Sequence, residues 1–322
     1  MTRMLITGGA GFIGSNYVRH VLSARDDVEQ VVVLDALTYA GNPANLSDLE
    51  ADDRFRFVEG DIGDRGAVRD AIKGADTVVH FAAESHVDRS ILDPDAFMRT
   101  NCGGTNVMCE IAREAGVERF VHISTDEVYG SVPEPGSFAE SDPLAPNSPY
   151  SASKAGSDLI ARSHHITHDL PVIITRSSNN FGPYQYPEKV IPLFVTNLLD
   201  GQKVPLYGDG LNVRDWCAVS DNCAAVDLVA REGEVGEIYN IGAGNELTNR
   251  DLTHRLLELC GHGPEMIEPV EDRLGHDRRY SIDTAKIRRL GWRPASDLDT
   301  ALAQTVEWYR ANRSWWEPLK SR

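Results

Sequence analysis

The 322-residue chain predicts an α/β fold, a doubly wound parallel sheet with a smaller mixed α/β domain. Three observations predict it. A short apolar strand near the start runs directly into a glycine turn and a helical pattern. Apolar runs of strand length then alternate with helical patterns, and after residue 177 they give way to short mixed segments. The chain is longer than a usual single domain, so either one large α/β unit or a core with an appendage is expected.

Met4-Leu5-Ile6-Thr7 reads as the first buried strand, followed by Gly8-Gly9-Ala10-Gly11-Phe12-Ile13-Gly14 and a helical pattern through Leu22. Glycines at 8, 11 and 14 permit a tight turn, close approach of backbone to a pyrophosphate and close helix-to-sheet packing. Their spacing is G-x-x-G-x-x-G, and by itself a glycine turn of this kind is as often empty as nucleotide-binding. Val31-Val32-Val33-Leu34-Asp35 adds a second buried strand that ends in an acid 21 residues after Gly14. Asp35 stands where a carboxylate accepts hydrogen bonds from an adenosine ribose; the alternative is a helix N-cap. Ala36 and Leu37 follow it, with no arginine to receive a 2′-phosphate, which favours NAD over NADP. The pattern is Rossmann-type.

Further strands are expected at 55–58, 77–81 and 119–123, with helical patterns around 65–73 and 96–115. Ligands of such sheets bind beyond the carboxyl ends of the strands. Gly60-Asp61-Ile62, Phe81-Ala82-Ala83-Glu84-Ser85 and Ser124-Thr125-Asp126-Glu127 each follow a strand and should open onto one crevice. Adjacent carboxylates at a strand end are ordinarily a solvated turn. Held together in a cleft, Asp126 and Glu127 would share a proton, one pKa driven up, giving an acid and a base side by side.

Beyond a loop with prolines at 133, 135, 143, 146 and 149, Tyr150-Ser151-Ala152-Ser153-Lys154 begins a helix expected to reach about His168. Tyr150 and Lys154 share a helical face. A lysine ammonium and the positive nicotinamide of NAD both favour a phenolate, so Tyr150 can take a hydroxyl proton; without the glycine turn the pair would be an ordinary surface pair. Val172–Arg176 returns to the sheet, dividing the chain into a dinucleotide-binding domain at 1–177 and, at 178–322, mainly a substrate domain with some segments returning to the first.

The formal net charge of −17 argues against nucleic acid or anionic membranes as partners, since both draw affinity from basic patches. Five cysteines form no C-x-x-C pair and their odd number is no disulfide framework, which fits a reducing cytoplasm. No apolar run is long enough to span a bilayer, no leader is expected, and no metal site is expected.

Gly8 to Gly14 with Tyr150-x-x-x-Lys154 about 140 residues later resembles the extended short-chain dehydrogenase/reductase superfamily, whose members act on nucleotide sugars. Within it, Phe81-Ala82-Ala83-Glu84-Ser85-His86-Val87-Asp88-Arg89-Ser90 and Ser124 to Gly130 are similar to the dTDP-glucose 4,6-dehydratases. The likeness continues through Asn179 to Tyr184, Pro187-Glu188-Lys189, Tyr207 to Gly210, Asn212 to Trp216 and Asp272 to Asp277, so it spans essentially the whole chain.

The resemblance implies roles. Tyr150 would deprotonate the glucosyl 4-hydroxyl, with Thr125 hydrogen-bonding that oxygen and Lys154 tuning the phenol. Glu127 would remove the C5 proton and Asp126, kept protonated by its neighbour, would protonate the departing 6-hydroxyl. NAD, tightly bound, would take hydride from C4 and return it to C6. Gly8, Gly11, Phe12, Ile13, Gly14, Asp35, Asp61, Ile62, Ala82, Tyr150 and Lys154 would hold NAD. Arg214 and Arg273 would bind the substrate diphosphate, Asn179 and Asn249 would add polar contacts, and Glu84 and Tyr207 would line the nucleoside end, with Lys189 and His276 as secondary contacts. A homodimer through a four-helix interface is implied as well.

The chain departs from the family pattern at Trp216 to Asn222, at Tyr186 and at Ser178, all outside the catalytic set. His164, His165 and His168 read as structural or exposed, and the tryptophans at 308, 315 and 316 as packing. A UDP-sugar 4-epimerase or decarboxylase shares the C4 oxidation and is the nearest rival; a non-catalytic NAD-dependent sensor is a rival of another class.

Overall fold

The computed structural model describes residues 1–320. Twelve strands follow in chain order: β1 Thr2–Thr7, β2 Val28–Asp35, β3 Phe55–Glu59, β4 Thr77–His80, β5 Arg119–Thr125 and β6 Val172–Ser177. After these come β7 Asn179–Phe181, β8 Val204–Tyr207, β9 Val213–Ala218, β10 Ile238–Ile241, β11 Glu246–Thr248 and β12 Ile267–Val270. Seven of them form one parallel sheet in the order β3-β2-β1-β4-β5-β6-β10. Numbering runs outward from β1 in both directions, so the crevice of a doubly wound sheet opens between β1 and β4. β10 joins this sheet beside β6 although it lies deep in the carboxy-terminal half.

The helices are α1 Phe12–Ala24, α2 Arg65–Ala71, α3 Val87–Leu92, α4 Pro94–Phe97, α5 Thr105–Ala115 and α6 Pro149–His168. In the second half they are α7 Val190–Leu199, α8 Val219–Glu232, α9 Asn249–Cys260, α10 Ala285–Arg289, α11 Leu298–Ala311 and α12 Arg313–Lys320. Both faces of the sheet are covered, as the unbroken apolar runs of its strands require. On one face Tyr17, Val18 and Val21 of α1 pack with Val226 and Val229 of α8; on the other Val68, Met108, Ile111 and Ala161 close over Leu5, Val78 and Phe120.

Two smaller sheets, β11-β9-β7 and β12-β8, lie with α7, α9 and α11 around a third core of Phe194, Trp216, Leu252 and Trp316. Trp315 packs edge-on against both Trp308 and Tyr184, and Trp308 meets Tyr184 at a tilt, which is the packing role expected of the aromatic tail. The helical pattern at 96–115 is not one α-helix: residues Met98–Gly104 take a wider π turn between α4 and α5. Asn101 turns inward there, donating to the Glu84 carbonyl and accepting from the Glu84 N–H, so the turn braces the loop after β4. Such π turns mark places where a helix re-aims a side chain.

Candidate active site

The glycine turn is built so that nothing larger fits. Gly8 has φ +69°, and a Cβ on it would lie 2.6 Å from the Ala82 nitrogen, while a Cβ on Gly14 would collide with the Gly8 carbonyl. Both contacts are to backbone, which cannot yield. No side chain caps the N-terminus of α1, and Gly11, Phe12, Ile13 and Gly14 line a cavity of about 310 Å³. Uncapped N–H groups at a helix start attract a phosphate. Asp35, also on the cavity wall, accepts from the Ala10 N–H and the Leu37 N–H, both at 2.9 Å, so it joins the glycine turn to the loop after β2 and caps no helix. Burial pushes its carboxyl up and the two N–H groups hold it down.

The same cavity is lined by Asp61, Ile62, Ala82, Glu84, Thr125, Asp126, Glu127, Tyr150, Lys154, Asn179 and Lys189. Thus all the residues expected to hold NAD, all five catalytic candidates and three of the substrate candidates share one cleft. Around it Ser177 Oγ, Ser178 Oγ, Asn179 Oδ1, Asn180 Oδ1, Gln185 Oε1 and Glu188 Oε1 are buried without a hydrogen-bond partner. Unmet polar capacity at a cavity wall is what a polar ligand satisfies. The glycine cradle, the free helix start and these groups fit a dinucleotide. Thr100, Asn180 and Gln185 are lining residues absent from the expected site; Asn180 lies within the Asn179 to Tyr184 stretch and Gln185 just after it, and Thr100 was hidden inside the apparent helix at 96–115.

β5 ends at Thr125, and Asp126–Tyr129 form a single 3-10 turn whose start Thr125 caps, accepting from the Glu127 N–H at 3.3 Å. The pair is therefore not a solvated turn. Asp126 is 3% exposed and its Oδ2 has no partner, so its carboxyl is held far above the usual range, first by burial and then by Glu127 and Asp215. Its proton thus comes mainly from desolvation, with the neighbouring acid second. Glu127 is also raised by burial, but Arg214, Lys189 and Arg273 pull it back toward ionisation.

α6 starts with Pro149 and a capping box between Ser148 and Ser151, which fixes Tyr150 in its first turn. Burial and the charge of Glu127 raise the Tyr150 phenol well above its ordinary value, while a hydrogen bond with Thr125 favours the phenolate. Lys154, one turn on, is buried; its Nζ donates to the Ile123 carbonyl at 2.7 Å and burial lowers it to about 8.

Five substrate candidates lie off the cavity, two of which, Arg214 and Arg273, act on Glu127. Arg214 donates to the Asp277 carbonyl at 2.9 Å and stacks over Tyr280; the Asn249 N–H donates to Asn212 O in the same layer. Tyr207 is half exposed and meets His276 edge-on, His276 contacts Asp272 at 2.7 Å, and Arg273 reaches Asp88 at 3.7 Å. His164 donates through Nε2 to Asn106 Oδ1 and His165 through Nδ1 to Leu170 O, both structural contacts, and among the described residues no cluster suited to a metal occurs.

A family model described as GDP-mannose 4,6 dehydratase matches residues 5–305. The chain is 58% identical over 324 residues to a dTDP-glucose 4,6-dehydratase of Streptomyces antibioticus, covering 99% of this chain and 96% of the relative. The crystal structure of the dTDP-glucose 4,6-dehydratase DesIV from Streptomyces venezuelae, with NAD and TYD bound, matches with a TM-score of 0.97 at 57% identity, over 98% of this chain and 99% of that one. A UDP-glucose 4-epimerase from Thermus thermophilus, in complex with NAD, matches with a TM-score of 0.89 at 33% identity, over 96% of this chain and 99% of that one.

Proposed function

We propose that this chain, which belongs to the GDP-mannose 4,6 dehydratase family, converts dTDP-glucose to dTDP-4-keto-6-deoxyglucose and water, with NAD as its resident cofactor. The observation that carries the reading is the buried Asp126, its carboxyl held far above the usual range, beside the cation-flanked Glu127 at the end of β5. NAD, when bound, accepts hydride from the sugar and gives it back.

The protein's own groups handle the protons. Tyr150 takes the 4-hydroxyl proton, with Thr125 hydrogen-bonding that oxygen and the Lys154 ammonium one turn away favouring the phenolate. The resulting C4 ketone acidifies C5–H, and Glu127, kept nearer ionisation by Arg214, Lys189 and Arg273, removes that proton. Asp126 gives its proton to O6 as the C6–O bond breaks, so water leaves and a C5–C6 double bond forms. Glu127 then returns its proton to C5. The proton taken by Tyr150 replaces the one Asp126 gave, and the site ends as it began.

Gly8, Gly11, Phe12, Ile13, Gly14, Asp35, Asp61, Ile62 and Ala82 are read as the NAD cradle. Arg214 and Arg273 are read as the diphosphate cations, with Asn179, Asn249, Lys189, Glu84, Tyr207 and His276 completing the substrate site. An epimerase needs no acid–base pair at C5 and C6, and a sensor has no use for a buried lysine, phenol and carboxylic acid that each oppose folding. Exposed Leu92, Met98, Leu159 and Ile166, on α3, the π turn and α6, support pairing of two copies through these helices. Among the described residues no helix is long and apolar enough to cross a membrane, and the five cysteines are free, which supports a reducing, cytoplasmic setting.

Incubating the purified protein with dTDP-glucose, without added reductant, should give a product lighter by one water in mass spectrometry. Unchanged substrate, or only its C4 epimer, overturns the reading.

A further inference from the structure

Behind the cleft lies a charged cluster with no part in the chemistry described so far. Asp158 sits one turn beyond Lys154 on the same face of α6 and is 1% exposed. Its Oδ2 accepts from Arg176 Nε on β6 at 2.9 Å, and its Oδ1 lies 3.3 Å from His122 Nε2 on β5. Arg176 then donates through Nη1 to the Tyr129 hydroxyl at 2.8 Å, and that hydroxyl donates to Asn240 Oδ1 on β10 at 2.9 Å. Tyr129 closes the 3-10 turn that carries Asp126 and Glu127. One helix face therefore reads Tyr150, Lys154, Asp158, and the last of these is hydrogen-bonded to Arg176 of β6 and lies beside His122 of β5.

We propose that Asp158 is a positioning residue that keeps Lys154 in its charged form, with Arg176 holding the carboxylate in place through its bond to the catalytic turn. The Ile123 carbonyl accepts from Lys154 Nζ at 2.7 Å, and Asp158, one turn on along the same buried helix face, adds a carboxylate charge. The groups around Lys154 are Tyr150 and Asp158 on its own helix, the Cys102 thiol of the π turn, His80 of β4, His122 of β5 and Arg176 of β6 behind Asp158. Burial lowers both imidazoles, so each is a neutral ring, and Cys102 is a thiol raised by burial. Asp158 is the anion of the group: His122 and Arg176 hold it below the usual carboxylate range against its own desolvation, and it opposes the fall that burial imposes on Lys154. An uncompensated buried lysine loses its proton near neutral pH.

The role in turnover rests on the dehydratase reading, but the test does not need substrate. The chain has six lysines, at 73, 154, 189, 203, 286 and 320, so protein labelled with [13Cε]lysine gives six resonances, and the one lost in Lys154→Arg belongs to Lys154. Titrated in the NAD-loaded protein, that resonance should move to a midpoint lower by about one pH unit in Asp158→Asn, a tenfold change in the ionisation constant. Asp158→Glu should restore it in part. Because Asp158→Asn leaves Arg176 as a lone buried charge, the double variant Asp158→Asn with Arg176→Met removes both charges and should lower the midpoint in the same direction. A folded variant with an unmoved or raised midpoint overturns the proposal, and failure of both variants to fold assigns the pair to stability alone and overturns it equally. Absence of turnover in the wild type would instead count against the dehydratase reading and leave the lysine midpoint readable.

Discussion

Asp126 and Glu127 are consecutive in the chain yet stand in different electrostatic company: Arg214, Lys189 and Arg273 draw Glu127 toward ionisation against burial and Asp277, while Asp126 is raised by burial, Glu127 and Asp215 and relieved by Arg214 and Thr125. That asymmetry separates an acid from a base without any difference in local sequence. It also makes the division of labour testable.

In Asp126→Asn the proposed proton donor to O6 is gone while Tyr150, Thr125 and Lys154 are untouched. Elimination should slow by about 10²- to 10⁴-fold, the usual worth of a general acid, with C4 oxidation little changed. Chemical quench with mass spectrometry should show dTDP-4-ketoglucose building up. Equal loss of both steps would make Asp126 structural.

The same variant should be more stable at neutral pH. A carboxyl whose folded pKa is raised contributes its full stability below its unfolded value, near 4, and loses it as pH rises toward the folded pKa, because the unfolded chain ionises freely and the buried group does not. Asn cannot ionise, so Asp126→Asn escapes this loss. Its Tm should exceed the wild type's by about 1–2 °C at pH 7, the shift expected for roughly 1 kcal/mol in a chain of 322 residues. The gain should shrink toward zero near pH 4. A Tm equal to or below the wild type's at pH 7 would contradict the buried, neutral carboxyl.

Asp35 has two jobs that substitution can separate. Asp35→Asn removes the charge and keeps one carbonyl acceptor for the Ala10 or Leu37 N–H, whereas Asp35→Ala leaves both N–H groups without a partner. Calorimetric titration of cofactor-stripped protein should show weaker NAD binding in both and a smaller NAD-over-NADP preference in Asp35→Asn. The Ala variant alone should lose about 1–3 kcal/mol of stability, the cost of an unmet buried donor.

Gly14→Ala should abolish cofactor retention, because its Cβ would strike the Gly8 carbonyl, a backbone atom within the turn itself. Gly103→Ala is the matched control, since a Cβ there meets nothing within 4 Å. NAD content after gel filtration, read by absorbance of the denatured supernatant, should be near wild type in the control and lost in Gly14→Ala.

Much of this site is legible in the chain. The glycine turn, Asp35, the strand ends at Gly60, Phe81 and Ser124, and the Tyr150–Lys154 spacing are short-range signals, each set by backbone sterics or by one helical turn. Together they place the nicotinamide chemistry at the carboxyl edge of the sheet. The π turn at Met98–Gly104 was not legible, because its residues keep a helical periodicity and its cause is the inward bond from Asn101 to the loop at Glu84. Nor was the Asp158–Arg176 pair, since neither residue stands in a pattern that names the other.

By itself the sequence determined an α/β fold with its crevice at the strand ends, a glycine turn followed by an acid that favours NAD over NADP, and the set of groups able to move protons. Tertiary structure alone decided that burial is the main cause of the raised Asp126 carboxyl, with the neighbouring charge second, and which distant cations bias Glu127. The reason is physical: spacing and periodicity act within a turn or a strand, whereas desolvation and Coulomb interactions depend on what the rest of the chain brings within a few ångströms of the buried turn at Asp126.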